Sequence, residues 1–462
     1  MTDRADLAVV GAGISGLAAA WEGLRRGARV VVLDAAPDPG GKLHTSPFAG
    51  VALDEAADAF LARVPGAVEL CAELGIASEL VAPATGAAYV FHDGALRRLP
   101  ADQLLGVPTD LDAVAVSGLL SPEGLARARR DLDAPDDRPP GGADESVGDL
   151  VRRRLGDEVL ERLVGPLVGS IYAGDCDHLS LQVTASQLAV ARDLAPGDPS
   201  LVRAAAALRA QAVETGRPVF LAPEGGMGRL VGALVDEIGD DLRTGAAVTG
   251  LARDGEGWRL ERADVTARAV VVATPAFAAA PLVAPHAPAA AEVLAAIEHA
   301  SVALVALAVP RAGIDGNVDG SGFLVPRSAG LRLTACSWVS SKWPHLAVDP
   351  DVALLRASVG RAGDDRAVTL DDDALVAAVL ADLKTTMGLR AAPTDVRVSR
   401  WPRSFPQPRP GHLARVAAAE AAVAAVPGLA LTGAWAEGVG VPACIRRGRA
   451  AARRVLGVTT DA

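Results

Sequence analysis

The residues with the clearest chemical spacing lie near the start of the chain. Gly11, Gly13 and Gly16 form a GxGxxG pattern, and Asp34 closes the apolar run that follows. The first glycine of such a pattern permits a tight turn, the second lets a pyrophosphate approach the backbone, and the third lets a helix lie close to a strand. Ala12 fills the turn, while Ile14 and Ser15 open the helix, so that its first amides and its positive dipole end face phosphate oxygens. A carboxylate at Asp34 accepts hydrogen bonds from ribose hydroxyls. The chemistry that this spacing supports is dinucleotide binding. A second glycine pair, Gly40 and Gly41, places the cation of Lys42 close behind it.

Little else reads as reactive. No nucleophile, triad or paired-carboxylate site stands out, so no catalytic acid or base is assigned. Cys71, Cys176, Cys336 and Cys444 lack CxxC spacing, and the seven histidines form no HxxxH pair. The expectation is reduced thiols, no disulfide framework and no metal. A net charge of −11 argues against a nucleic-acid partner held by a general positive field, so an anionic substrate would need a local cluster of Arg or Lys. The first residues lead straight into a strand, which leaves no room for a signal peptide, and no apolar run approaches a bilayer span. Cytoplasmic location is expected, with at most peripheral membrane contact given a mean hydropathy of +0.27.

These residues need elements to position them. Leu7–Val10 and Val30–Leu33 read as buried parallel strands around the glycine turn and its helix. A chain of 462 residues exceeds one core, and its 50% apolar but only 3% aromatic content points to tightly packed small side chains. Residues 60–82 carry a helix, and 87–100 a hairpin turning at Asp93-Gly94. Helical periodicity dominates 101–216, interrupted by the acidic, Pro/Gly-rich surface loop DLDAPDDRPPGGADES. Ser146 and Asp149 form a capping box, and an apolar face runs from Val147 to Val164. Pro166, Gly169 and Gly174 are expected to break that helix, making GPLVGSIYAGDCDHLSL (165–181) a connector to a helix capped by Ser180. Strands return in RPVFLAP, AAVTGLA, GWRLER and RAVVVATP, then in SVALVALAV, GFLVP and LRLTACSW, followed by a helix near 373–388. PGLALTGAWAEGVGVPACIRRG closes the chain as strand, glycine-rich turn and helix. The fold class is α/β with α+β elements: a Rossmann-type domain from 1–50, 217–280 and 425–462, a mixed-sheet substrate domain from 51–100 and 281–424, and a helical insertion over 101–216 left to face a membrane or partner.

PDPGGKLHT resembles the second glycine pair of the FAD-dependent amine oxidase superfamily. Further blocks resemble the protoporphyrinogen/coproporphyrinogen oxidase family over nearly the whole chain. They are DEAADAFLAR, the 146–181 segment, PEGGMGRL, SKWP, FPQPRPGH and GAWAEGVGVPACIRRG. The last block and the 146–181 segment are the most particular. The resemblance implies noncovalent FAD in contact with the fingerprint, Asp34, Gly40, Gly41, Lys42, Val248, Ala273, Thr274, Gly433, Gly440 and Val441. It implies hydride removal from a porphyrinogen, most like the bacterial coproporphyrinogen III branch, with O2 as acceptor and H2O2 as product. It also implies a ferrochelatase-type enzyme downstream. Ser170, Ile171, Tyr172 and Gly174 then lie on the substrate side of the flavin. The chain departs from the family in having Lys42 for Arg, Asp34 for Glu, Ser170 for Gly, Pro408 for Tyr, and His92 where some relatives place a propionate-holding Arg. Arg97, Arg98, Lys342 and Arg403 are the cations left for that role. Protoporphyrinogen IX oxidation, another amine-oxidase-like chemistry and noncatalytic flavin binding are the rival readings.

Overall fold

The computed structural model describes residues 3–135, 142–194, 198–214 and 218–457. Asp3–Val10 forms the centre of a sheet in which the strand order is 242–243, 30–33, 3–10, 265–272, 257–260, 251–254, with Leu429–Leu431 added beside Val265–Val272. Asp3–Val10 runs parallel to both Val30–Leu33 and Val265–Val272. Its continuous apolar run follows from burial on both faces. Leu7 and Val9 enter one core, Ala8 and Val10 the other. On the first face the helix Ile14–Arg25 packs against Val441–Val455 so closely that a Cβ at Gly448 would stand 2.0 Å from the Ser15 carbonyl oxygen.

The helices Ala276–Val283, Pro288–Ala295 and His412–Ala424 cover the second face through Ala276, Ala279, Ala290, Leu294, Val416 and Val423. A division at 280/281 therefore falls inside a helix, and segments placed by sequence in the substrate unit pack on the nucleotide sheet. The strand expected over 246–252 starts only at Leu251.

A second sheet has the order 395–406, 299–310, 352–359, 333–338, 322–324, 89–92, 95–98 and is antiparallel except between Gly322–Leu324 and Tyr89–His92. Asp93 (φ 51°) and Gly94 (φ 71°) make its two-residue hairpin turn. The helix Asp372–Met387 is capped by the Asp371 carboxylate and packs Leu375, Val379 and Leu383 on this sheet. Two of its longest strands, Val352–Val359 and Asp395–Pro406, carry interior arginines, and the latter two prolines. Their alternation is consequently invisible in sequence.

The helical lobe corrects three expectations. The helix Val147–Leu155 ends at Gly156 (φ 94°), and the chain then winds through a π-turn, Leu160–Val164, straight into the helix Gly165–Tyr172. Pro166 does not break it: the proline stands at the start of this helix, directly after the π-helical residues, and the winding continues through it. The helix stops at Ala173, so the connector is only 173–180. The following helix is divided at Ala185 into Leu181–Thr184 and Ser186–Leu194. The acidic stretch is not all surface, since Asp131 is fully buried and receives Nε–H of buried Arg154 at 2.6 Å, the Ser200 hydroxyl at 2.7 Å and the Val202 amide at 2.9 Å. Its centre, 136–141, lies outside the described residues.

Candidate functional site

The glycine turn is built by steric exclusion. Gly11 has φ 106°, and a Cβ at Gly16 would sit 1.8 Å from the Gly11 carbonyl oxygen. A Cβ at Gly13 meets nothing within 4 Å, because that position faces a cavity of ≈ 1670 Å³. The helix start at Gly13 has no side-chain cap, which leaves its amides to the cavity. Asp34 accepts from the Ala12 amide at 2.5 Å and the Ala36 amide at 2.7 Å, so the carboxylate holds the turn and keeps lone pairs for a ribose. Gly40 donates to the Ala12 carbonyl at 2.8 Å, which brings the second glycine pair alongside the first.

Gly11, Gly13, Ile14, Ser15 and Asp34 line the cavity, as do Gly40, Gly41 and Lys42. Val248, Ala273, Thr274, Gly433, Gly440 and Val441 line it too, whereas Ala12 and Gly16 stand behind the wall as its backing. Two features fit an anionic flavin dinucleotide. Among the described residues the Lys42 ammonium has no anion, and burial pushes its pKa down. The Thr274 hydroxyl is buried without a partner.

The cavity continues to Ser170, Ile171, Tyr172 and Gly174. The Ser170 hydroxyl turns back to donate to the Leu167 carbonyl at 2.9 Å. Tyr172 is buried, its hydroxyl donating to the Val183 carbonyl at 3.3 Å, and burial raises its pKa to about 12, so it stays protonated. The helix end and the start of the connector are pinned from three sides. Gln407 Nε2 donates to the Tyr172 carbonyl at 2.8 Å, the Ala362 amide to the Ala173 carbonyl at 2.7 Å, and Arg327 to the Gly174 carbonyl at 3.1 Å.

The structure sorts the proposed cations. Arg97 and Arg98 sit on the Ala95–Arg98 strand and are not among the lining residues; Arg97 lies 4.0 Å from Asp93 instead. Lys342 lines the cavity but donates to Asp58 at 2.8 Å, and Arg356 reaches the same carboxylate at 3.0 Å. Burial alone would raise the Asp58 pKa; the two cations pull it well below the usual carboxylate range. Arg403 lies over the Phe277 ring at 3.7 Å. Sequence reasoning missed Arg327, Arg361 and His299, all on the cavity wall. They sit at turns or strand ends outside any motif, so only the fold brings them together. Burial lowers the His299 pKa to about 4, and its Nδ1 engages the Ile297 carbonyl at 2.9 Å, so the imidazole is neutral at pH 7. Burial raises the pKa of the Cys176 and Cys444 thiols, which favours the protonated form.

A largely parallel sheet with a glycine cradle, opening into a large cavity shared with the second sheet, is the architecture of an FAD-dependent oxidoreductase. Residues 14–456 match the family model of flavin containing amine oxidoreductases, and the chain belongs to that family, in its protoporphyrinogen/coproporphyrinogen III oxidase branch. It is 35% identical to a coproporphyrinogen III oxidase of Bacillus subtilis, covering 97% of both chains. It is 37% identical to one of Mycobacterium tuberculosis, covering 96% of each. Among solved structures, a candidate protoporphyrinogen oxidase from Exiguobacterium superposes with a TM-score of 0.85 at 30% identity, covering 99% of both chains. A cyclohexylamine oxidase from Brevibacterium oxydans shares the fold, with a TM-score of 0.71 at 20% identity over 98% of this chain and 99% of that one.

Proposed function

We propose that this chain oxidises coproporphyrinogen III to coproporphyrin III in haem biosynthesis, with noncovalently held FAD, O2 as electron acceptor and H2O2 as product. The observation that carries the reading is the single cavity running from the glycine cradle to the pinned 170–174 segment, wide enough for a dinucleotide and a tetrapyrrole together. Bound flavin would supply a two-electron acceptor for hydride, so the six-electron conversion to the porphyrin takes three cycles, each reducing one O2 to H2O2. The residues of the chain supply position. Ser170, Ile171 and Gly174 form a wall against which the macrocycle lies, and the Tyr172–Gln407 and Ala173–Ala362 bonds hold that wall still. Flanking pyrroles activate the meso C–H, and pyrrole N–H protons leave to water, so no residue is assigned as acid or base.

The family, the apolar lining and the chain's two tyrosines favour this over an amine oxidase with an aromatic cage. No helix among the described residues is long and apolar enough to cross a membrane. A ferrochelatase-type enzyme would take the product onward. The deciding experiment is aerobic incubation with coproporphyrinogen III and protoporphyrinogen IX in parallel, following porphyrin fluorescence and peroxide. Faster turnover of coproporphyrinogen III is expected. No acceleration over autoxidation with either substrate would defeat the proposal, and a preference for protoporphyrinogen IX would move the chain to that activity.

A further inference from the structure

Two guanidiniums on the cavity wall carry more positive charge than their surroundings balance. The loop bearing Arg361 and the turn bearing Arg327 both dock on the connector, Ala362 through its amide to the Ala173 carbonyl at 2.7 Å and Arg327 through its side chain to the Gly174 carbonyl at 3.1 Å. These bonds to consecutive carbonyls bring Arg327 and Arg361 together on the wall, with Ser328 beside them.

The nearby acids do not neutralise the pair. Asp364 is taken by Arg366 through bonds of 2.8 and 2.6 Å, and Asp175 makes only a long ion pair with Arg327, at 3.8 Å, which leaves one carboxylate facing two guanidiniums. Arg361 donates only to the Leu333 carbonyl, at 3.4 Å, and no carboxylate pairs with it among the described residues. Burial, then the charge of Arg327, push the Arg361 pKa down, with Asp364 and Asp175 opposing. Every other arginine on the wall is spent: Arg152 on Asp157 and Asp177, Arg356 on Asp58. A planar carboxylate entering here would offset both charges and meet two forked donors.

We propose that Arg327 and Arg361 form a carboxylate subsite that takes a propionate of the tetrapyrrole and fixes its rotation over the flavin. This assignment rests on the porphyrinogen reading above and supplies the anchor that Arg97 and Arg98 do not.

The test compares binding of coproporphyrin III and of its tetramethyl ester to the flavin-loaded enzyme by porphyrin absorbance. The expected result is that wild type binds the free acid at least about tenfold more tightly than the ester, and that Arg361→Gln erases most of that preference, as loss of one charge-assisted fork implies. Ester affinity and flavin content should change less than about twofold. An Arg361→Gln enzyme that binds the free acid as wild type does would overturn the assignment. So would one that loses acid and ester by the same factor, because that loss would be structural. Where Arg361→Gln loses its flavin, Arg361→Lys carries the same comparison: the acid-to-ester ratio should fall, and an unchanged ratio overturns the subsite. Wild-type enzyme that oxidises neither porphyrinogen sinks the functional reading, whereas an enzyme that oxidises coproporphyrinogen III but ignores both arginine substitutions sinks only the subsite.

Discussion

At the scale of single residues, the two central glycines of the cradle do different work. A side chain at Gly13 would project into the cavity and at Gly16 into the backbone of Gly11. Gly13→Val should therefore give a folded but colourless protein, read as normal circular dichroism with flavin absorbance lost. Gly16→Ala should weaken the fold itself, by about 3 kcal/mol, since a backbone oxygen must move to admit the methyl group. Equal flavin retention in both variants would show that the phosphates lie elsewhere. Ser170→Val replaces a back-bonded hydroxyl with a bulkier branched group on the cavity wall. It should lower kcat/KM for coproporphyrinogen III roughly tenfold, a cost of about 1.4 kcal/mol, with FAD stoichiometry unchanged. Full activity would return this segment to a purely structural role. The glycine cradle and Asp34 were legible in sequence because their chemistry is local and their spacing is set by one turn. Arg327, Arg361 and His299 were not, because each sits in an unremarkable stretch and gains meaning only from a wall assembled out of distant turns.

At the scale of elements, the hairpin Thr45–Asp54 is tied to the glycine turn before the helix Gly228–Ile238 through one carboxylate. Asp54 receives the Thr45 hydroxyl and, at 2.9 Å, the Met227 amide. Burial raises its pKa to about 6 despite those bonds, so ionisation is unfavourable in the folded chain. A folded pKa above the unfolded value means that stability is present below about pH 4 and is lost as pH rises towards 6. Asp54→Asn keeps an acceptor without the charge. It should raise unfolding free energy at pH 8 by up to about 3 kcal/mol and make no difference at pH 3.5. A variant less stable than wild type at pH 8 would show that attraction to Arg356 outweighs burial. In the helical lobe, Arg154→Met strands the buried Asp131 carboxylate and should cost about 3–5 kcal/mol in denaturant titration. Wild-type stability in that variant would mean the carboxylate finds water. The capped starts at Ser146 and Ser180 were readable because capping is a short-range signal. The π-turn was not, and Pro166, a breaker in most helical contexts, pointed the wrong way.

At the scale of the whole molecule, two sheets and a helical lobe meet on one cavity, and none of the three encloses it alone. The alternation of apolar runs and turns suffices to predict that the chain leaves its nucleotide sheet and returns. It does not set where, because the helices Ala276–Val283 and His412–Ala424 look equally suited to either sheet until their Ala and Val faces find the second face of the first. That return has a consequence for synthesis. The cradle formed by the first residues of the chain is backed by Leu429–Leu431 and by the helix Val441–Val455, whose Gly448 closes on Ser15. A ribosome must therefore deliver nearly the whole polypeptide before the pigment has a home, and the early half of the cradle waits, half-walled, through most of translation. Such a protein cannot be loaded with its flavin piecemeal, and a message cut short in its last tenth should yield a colourless chain rather than a weakened enzyme.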